Sequence, residues 1–430
     1  MRTFENWSGL HRHTPRKWMS PHDEDELRRM VQSAASEGGR VKVVGSGHSW
    51  SDIAVPDDVA VDLDHMRGVV AIDRSAPSIT VRGGTRIEEI TEALDAHGLA
   101  MPILGSIAKQ TVAGAIATGT HGSSLVHGNL SSLVTSIRLM TASGDTLHLR
   151  EGDPRLAGAR VHLGALGIVT EVTMRVTRAF RLVENRQPVP FVDVLADIEG
   201  IAHSAEYVKL WWLPTTGSAV VFRYERSEAP EPDDALARWV DETIVNRLVF
   251  DRALRFVGRF PAATSALNAS VAATYLGPSE RVARSDRAFN LAMPPIHREA
   301  EWAFAMKVAP LALESLATLV RRDRLRINFP CEIRFVRGDD GWMSPAHGRD
   351  TCQIGIYQAE SPDLAPWFTG ASTIAHSLDG RPHWGKEHDW AIDAIERAFP
   401  RFGEFKALAH QLDPRGMFMN AHLARILGPT

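Results

Sequence analysis

Val41-Lys42-Val43-Val44-Gly45-Ser46-Gly47-His48-Ser49-Trp50 sets a β-branched run against two glycines and a histidine flanked by hydroxyls. Val41 to Val44 reads as a short buried strand, since β-branched residues suit a packed, pleated position. Gly45 and Gly47 let the backbone turn sharply and approach a ligand with no Cβ in the way. A dinucleotide fingerprint needs a third glycine and a helix directly after it. Here Trp50 takes the third place, Ser51 to Asp58 is turn-like, and Val59-Ala60-Val61-Asp62-Leu63 reads as another strand. The stretch therefore does not fit the doubly wound nucleotide fold. Alone, it leaves His48 as either a hydrogen-bonded loop residue or a ligand contact.

The chain has 430 residues, enough for two or three domains at about 150 residues each. Apolar content of 44% and charged content of 23% suit a sizeable core. A net charge of −4 without a long basic run argues against a nucleic-acid partner. No apolar run reaches membrane-spanning length, and Met1 to Trp7 lacks the apolar segment of a signal peptide. Two cysteines, Cys331 and Cys352, offer no disulfide framework or zinc site and suit a reducing, cytoplasmic setting. The 18 histidines are scattered, and His11 and His13 read as solvated, so no metal site is expected.

Residues 1–178 alternate short strands and helices. Ser20 is the expected N-cap of a helix with Pro21 at its first position, Leu27, Met30, Val31 and Ala34 on its apolar stripe and Gly38-Gly39 at its end. Val69 to Ile72 and Ile79 to Val81 predict a hairpin, and Thr85 with Glu88 a capping box for a second helix. Gly105 to Ser123 is dense in small residues, including Ser106, Gly114, Thr118, Gly119, Thr120 and His121. Such residues let backbone N–H groups converge on an anion such as a pyrophosphate, although close backbone packing would also use them. A third run, Gly164-Ala165-Leu166-Gly167-Ile168-Val169-Thr170, leads into a strand from Glu171 to Val176. Three such loops in one domain favour a long cofactor laid across them.

After Ala179 the composition turns to tryptophan, phenylalanine and longer amphipathic segments. Asp233 to Phe260 and Pro310 to Arg324 are expected helices. Lys209 to Leu213, Ala219 to Arg223, Trp302 to Val308, Asn328 to Val336 and Thr351 to Gln358 are expected strands. The result is an α+β domain, a sheet covered on one side by helices. Domains are expected at 1–178 and 179–378, with residues 379–430 as a closing segment.

Alternation puts Glu332 and Arg334 on one strand face, and Gln353, Gly355 and Tyr357 on one face of the next. If those strands are neighbours, they form a polar wall with a gap at Gly355. An isolated surface ion pair is the plainer alternative. A guanidinium there can hold a developing alkoxide, and a carboxylate can accept from substrate hydroxyls. Lys386, among His383, Trp384 and Gly385, is either a surface lysine or, if held near an arginine, an available base.

Taken together, Gly45 to Ser49, Ala117 to Gly122, Leu163 to Gly167, Glu332-Ile333-Arg334, Gly348 to Thr351, His383-Trp384-Gly385-Lys386, and Leu412-Asp413-Pro414 with Phe418 and Asn420 resemble the vanillyl-alcohol-oxidase flavoprotein superfamily. Within it the chain resembles the aldonolactone oxidoreductase branch and the bacterial alditol oxidases, over nearly its whole length. The resemblance implies an α+β architecture: a two-domain FAD-binding (PCMH-type) fold whose cap is an antiparallel sheet with helices. It implies FAD contacts from Val44, Gly45, Ser46, Gly47, His48 and Ser49. Further contacts come from Gly105, Ser106, Gly114, Thr118, Gly119, Thr120 and His121, from Gly164, Gly167 and Val169, and from His383 and Asn420. His48 is implied as a covalent anchor. Glu332, Arg334 and Lys386 are implied as catalytic, with Ser106, Gln353 and Tyr357 as substrate contacts.

The implied reaction is oxidation of a sugar-derived alcohol, foremost an aldono-1,4-lactone such as L-gulono-1,4-lactone, by hydride transfer to flavin N5. Oxygen or another acceptor reoxidises the flavin, and Gly105 beside Ser106 would leave oxygen a path. The alternative is an alditol oxidase acting on the terminal carbinol of a polyol such as xylitol. Alditol oxidases share the pattern at Cys331 to Arg334 and Trp342 to Ala346 but carry histidine and threonine where this chain has Gly355 and Tyr357.

Overall fold

The computed structural model describes residues 2–232, 249–274, 276–291 and 293–428. Val41–Val43 joins a three-stranded parallel sheet in which Val59–Val61 lies between it and Lys17–Met19. The central strand is fully buried, and the helix Glu24–Ser36 packs Leu27, Val31 and Ala34 onto the sheet. That helix starts later than Ser20 would set it. Asp23 caps it by accepting from the Glu26 amide at 2.7 Å, and the Glu26 carboxylate accepts from the His22 amide at 2.8 Å. Ser20 instead donates to Asp62.

A second sheet holds five antiparallel strands in the order Thr146–Arg150, Val134–Met140, Ile168–Arg175, Ser78–Arg82, Val69–Asp73. Its last two strands form the expected hairpin. The following helix, Ile87–Asp95, is boxed by Arg86 and Glu89, one residue on from Thr85 and Glu88. Thr85 is wholly buried and bonds to Gly68 and Arg82, so it is unavailable as a cap.

The third large element is an eight-stranded sheet. Its order is Ser279–Arg284, Arg181–Pro190, Ser218–Ser227, Tyr207–Leu213, Cys331–Val336, Thr351–Gln358, Arg298–Ala305, Arg381–Pro382, with every pairing antiparallel. Helices Ala309–Asp323 and Leu364–Ser377 pack on each other and on Arg298–Ala305. The strand expected from Trp302 begins at Arg298, because Glu299 and Glu301 alternate with the buried Ala300 and Trp302. Met306–Val308 forms a 3-10 turn. The strand expected from Asn328 starts its ladder at Cys331. Asp251–Arg259 is helical within the expected 233–260 helix, and residues 233–248 lie outside the described residues.

The end of the chain returns to the first sheet. Val41 N–H donates to Met417 O at 2.8 Å, and Lys42 Nζ to Phe418 O at 3.3 Å. Asn420 donates from its amide to the carbonyls of Asp52, Ile53 and Val55 while capping the helix Ala421–Leu427. Among the described residues no helix is long and apolar enough to cross a membrane.

Candidate active site

The expected cofactor residues line three loops at strand ends. Gly47 has φ +70°, and a Cβ on Gly45 would lie 2.6 Å from Thr111 Oγ1, so neither place tolerates a side chain cheaply. Gly47 O accepts from the Trp7 amide and Ser49 O from Asn6 Nδ2, which pins the loop from the N-terminal side. Trp50 N–H donates to Gly385 O at 2.7 Å and Ser51 Oγ to Trp384 O at 2.7 Å, tying this loop to the segment of His383 and Lys386. Two buried polar atoms here have no partner: Ser46 Oγ and His48 Nδ1. Burial, with Lys109, Lys386 and Arg86 nearby, pushes the His48 imidazole down to about 4.

In the second loop Thr111 caps the short helix Val112–Ala117 by accepting from the Gly114 amide, and Thr118 donates to Gly114 O. Gly119 has φ +68°, and the Thr120 amide bonds to Ala115 O. Gly105 is buried; a Cβ there would meet Thr120 Cγ2 at 2.8 Å and His121 O at 3.3 Å. In the third loop Gly164 and Gly167 have φ of +69° and +142°. Val169 O comes so close to Gly83 that a Cβ on that glycine would sit 2.1 Å from it. Tight backbone packing and unpartnered side chains thus occur together, the first framing the second. Val44 is buried in the packing beneath the first loop. Asn420 acts on that loop from outside, its amide committed to the backbone at residues 52–55.

The wall expected from Glu332 and Arg334 forms with the anticipated register: Glu332 lies opposite Gly355 and Arg334 opposite Gln353. Arg334 Nη2 donates to Glu332 Oε2 at 2.5 Å and to Ser106 Oγ at 2.6 Å, and Nη1 to His121 O at 3.3 Å. One guanidinium therefore bridges the sheet and both ends of the second glycine-rich loop. Tyr357 Oη donates to Glu332 Oε2 at 3.0 Å and Trp211 Nε1 to Oε1 at 3.3 Å. Burial would raise the Glu332 carboxyl, but Arg334 and Lys209 outweigh it and hold the group below its usual range. The gap expected at Gly355 is filled by the Tyr357 ring, whose Oη and Cε2 lie 3.2 and 3.3 Å from a Cβ built there. Gly355 makes room for that tyrosine. Gln353 donates to Thr351 Oγ1 at 3.0 Å, and its Oε1 is buried without a partner.

Lys386 lies against Glu299 Oε2 at 2.5 Å and 4.0 Å above the Trp50 ring, not beside an arginine. Burial raises the Glu299 carboxyl despite Lys386. Sequence reasoning passed over Glu299 and Glu301. Their period-two spacing in Arg298-Glu299-Ala300-Glu301-Trp302 was the available signal. The pairing Glu301↔Gly355↔Glu332 sets two carboxylates on either side of a glycine. Glu301 Oε1 is 2.9 Å from His121 Nε2, while His121 Nδ1 faces Gly122 O at 2.9 Å. Burial would raise the Glu301 carboxyl, yet His121, then His383 and Lys386, hold it well below the usual range. Donor atoms of His121, Glu301 and His383 lie within 4.8 Å of one another, a grouping able to hold a metal that the scattered histidines gave no reason to expect. Burial pushes the His383 imidazole down to about 3, and its Nδ1 accepts from the Gly385 amide.

These loops suit FAD. The orphaned Ser46 Oγ and His48 Nδ1 give a flavin polar contacts the chain itself leaves unmet, and the glycines leave room for close approach. Comparisons with known proteins agree. Residues 15–150 match the FAD binding domain model and residues 172–426 the D-arabinono-1,4-lactone oxidase model. L-gulonolactone oxidase of Scyliorhinus torazame is 32% identical over 98% of this chain and 97% of its own length. L-gulono-1,4-lactone dehydrogenase of Mycobacterium tuberculosis is 33% identical over 99% of both. Alditol oxidase of a Streptomyces species is 31% identical over 98% of both. Cholesterol oxidase from B. sterolicum superposes with a TM-score of 0.81 at 17% identity, covering 99% of this chain and 96% of that one, which shows a shared fold. With a family model spanning more than half its length and full-length relatives above 30% identity, the chain belongs to the D-arabinono-1,4-lactone oxidase family of FAD-dependent oxidoreductases acting on CH–OH donors.

Proposed function

We propose that the protein oxidises a carbinol carbon of an aldono-1,4-lactone such as L-gulono-1,4-lactone, with FAD attached covalently through His48. The observation that carries this reading is the position of Arg334, bonded at once to Glu332, Ser106 and His121 O. When bound, FAD supplies the hydride acceptor. Ser106 and Arg334 place donors where the carbinol oxygen gains charge, and fixed donors there need no reorganisation during reaction. Glu332, itself held by Tyr357 and Trp211, fixes the guanidinium. Lys386 with Glu299 takes the hydroxyl proton. The neutral His48 imidazole keeps a lone pair on one ring nitrogen through the neutral range, as a nitrogen forming a bond to a flavin carbon must. The sequence units at 1–178, 179–378 and 379–430 serve as cofactor domain, cap and closing segment, and oxygen or another acceptor completes the cycle.

The test is anaerobic bleaching of the flavin by a panel of lactones and polyols. Bleaching by L-gulono-1,4-lactone is expected; bleaching by xylitol alone would replace the lactone reading with polyol oxidation, favoured by the shared Cys331 to Arg334 stretch and the alditol oxidase relative.

A further inference from the structure

Most polar groups on the site face of the sheet are engaged with one another; two flanking Arg334 keep hydrogen-bonding capacity to spare. Lys209 lies directly opposite Arg334 on one neighbouring strand, and Gln353 directly opposite it on the other. Lys209 has 8% of its side chain exposed, and its Nζ is 5.1 Å from the Phe222 ring, 5.5 Å from Trp211 and 5.8 Å from Tyr224. Its nearest carboxylate oxygen is Glu332 Oε1 at 4.0 Å, beyond hydrogen-bond range and already accepting from Trp211. Three N–H donors thus sit in an aromatic enclosure where the ion pair to a described residue is the long 4.0 Å contact to Glu332. On the far side of Arg334, the Gln353 Oε1 acceptor is buried without a donor.

Resting on the lactone reading above, we infer that Lys209 is a substrate-binding residue that donates to the lactone carbonyl, while Gln353 accepts from a hydroxyl at the other end of the molecule. Two strand spacings separate the two backbones by about 9–10 Å, a distance two side chains and one sugar-sized ring fill between them. A lactone carbonyl supplies an acceptor where the same ring without its carbonyl oxygen has none. A buried donor there therefore favours the lactone over that ring, since sites built for a hydrogen bond discriminate strongly against ligands lacking the partner. Burial pushes the Lys209 ammonium down against the pull of Glu332, and a neutral amine would still donate.

The test uses holoenzyme under anaerobic conditions and follows flavin absorbance with two ligands: L-gulono-1,4-lactone and the matching 1,4-anhydro ring ether, which lacks only the carbonyl oxygen. Lys209→Met is expected to raise the apparent Kd of the lactone about tenfold or more while leaving that of the ether unchanged. Lys209→Gln, which keeps an N–H donor, is expected to recover part of the loss. Equal weakening of both ligands would reduce Lys209 to a support for Glu332, and no change in either would remove it from the site; each overturns the inference while leaving the lactone reading intact. Unchanged flavin content and Tm establish that the variants fold. If the lactone neither shifts nor bleaches the parent flavin, the lactone reading falls and the role of Lys209 falls with it.

Discussion

The glycine-rich loops and the sheet face are both polar, yet they use polarity in opposite ways. In the loops, Ser46 Oγ and His48 Nδ1 are buried and unpartnered while the backbone around them is packed too tightly to relax. On the sheet, beside an unmet Gln353 Oε1, Glu332, Arg334, Tyr357 and Trp211 form a closed network, and Lys386 with Glu299, and His121 with Glu301, form two more pairs. Unmet buried groups cost free energy that a permanently held ligand recovers. Pairs already made cost nothing to reorganise during a turnover. On the function proposed above, the difference separates a region completed once by its cofactor from a region that must be ready for each new substrate.

That separation can be broken by experiment, beginning with the largest effect. His48→Ala should release essentially all flavin from acid-precipitated protein, whereas the parent pellet stays yellow; a colourless parent pellet refutes covalent attachment. Arg334→Met should slow flavin reduction by lactone about 10³-fold, the cost typical of losing charge-stabilising donors, with flavin content unchanged. A flavin-depleted Arg334→Met protein would show that sheet and loops are one unit.

Gly105→Ala must push Thr120 Cγ2 or His121 O by several tenths of an ångström. It should slow reoxidation of the flavin by oxygen about tenfold more than its reduction, measured by stopped-flow absorbance. Equal effects on both half-reactions would remove Gly105 as an oxygen gate. The smallest expected effect is of pH. With the His48 imidazole near 4, its lone pair is lost only as pH falls through that value. Flavin attachment to apoprotein should therefore be flat with pH above about 5, and a rise through the ordinary histidine range near 6.5 would contradict the burial argument.

Much of this was legible in the sequence because it is local. Period-two alternation placed Glu332 with Arg334 and Gln353 with Tyr357 on common faces, and Thr351–Gln358 has the bounds its pattern set. Glycines at φ +70° and +68° mark turns that few other residues can make. What escaped is long-range. The strand Arg298–Ala305 precedes Cys331–Val336 in the chain but lies beyond Thr351–Gln358 in the sheet, so nothing nearby in sequence says that Glu301 meets His121 or Glu299 meets Lys386. Alternating glutamates suit a solvated face as well as a buried one, and only the neighbouring strands make that face interior. The Ser20 cap failed on the same ground: Asp62, more than 40 positions away, holds its hydroxyl (a separation of 42).

Asn420, which fastens the backbone just beyond the His48 loop, gives the cradle a timetable. Its amide reaches Asp52 O across 368 residues of chain. At synthesis rates of about 5–20 residues per second, the loop leaves the ribosome roughly 20–70 s before its fastener exists. Through that interval the first sheet also lacks the Met417 and Phe418 carbonyls that Val41 and Lys42 engage. The assembled cofactor site is thus a late product of translation, complete only once residues 417–420 have been made.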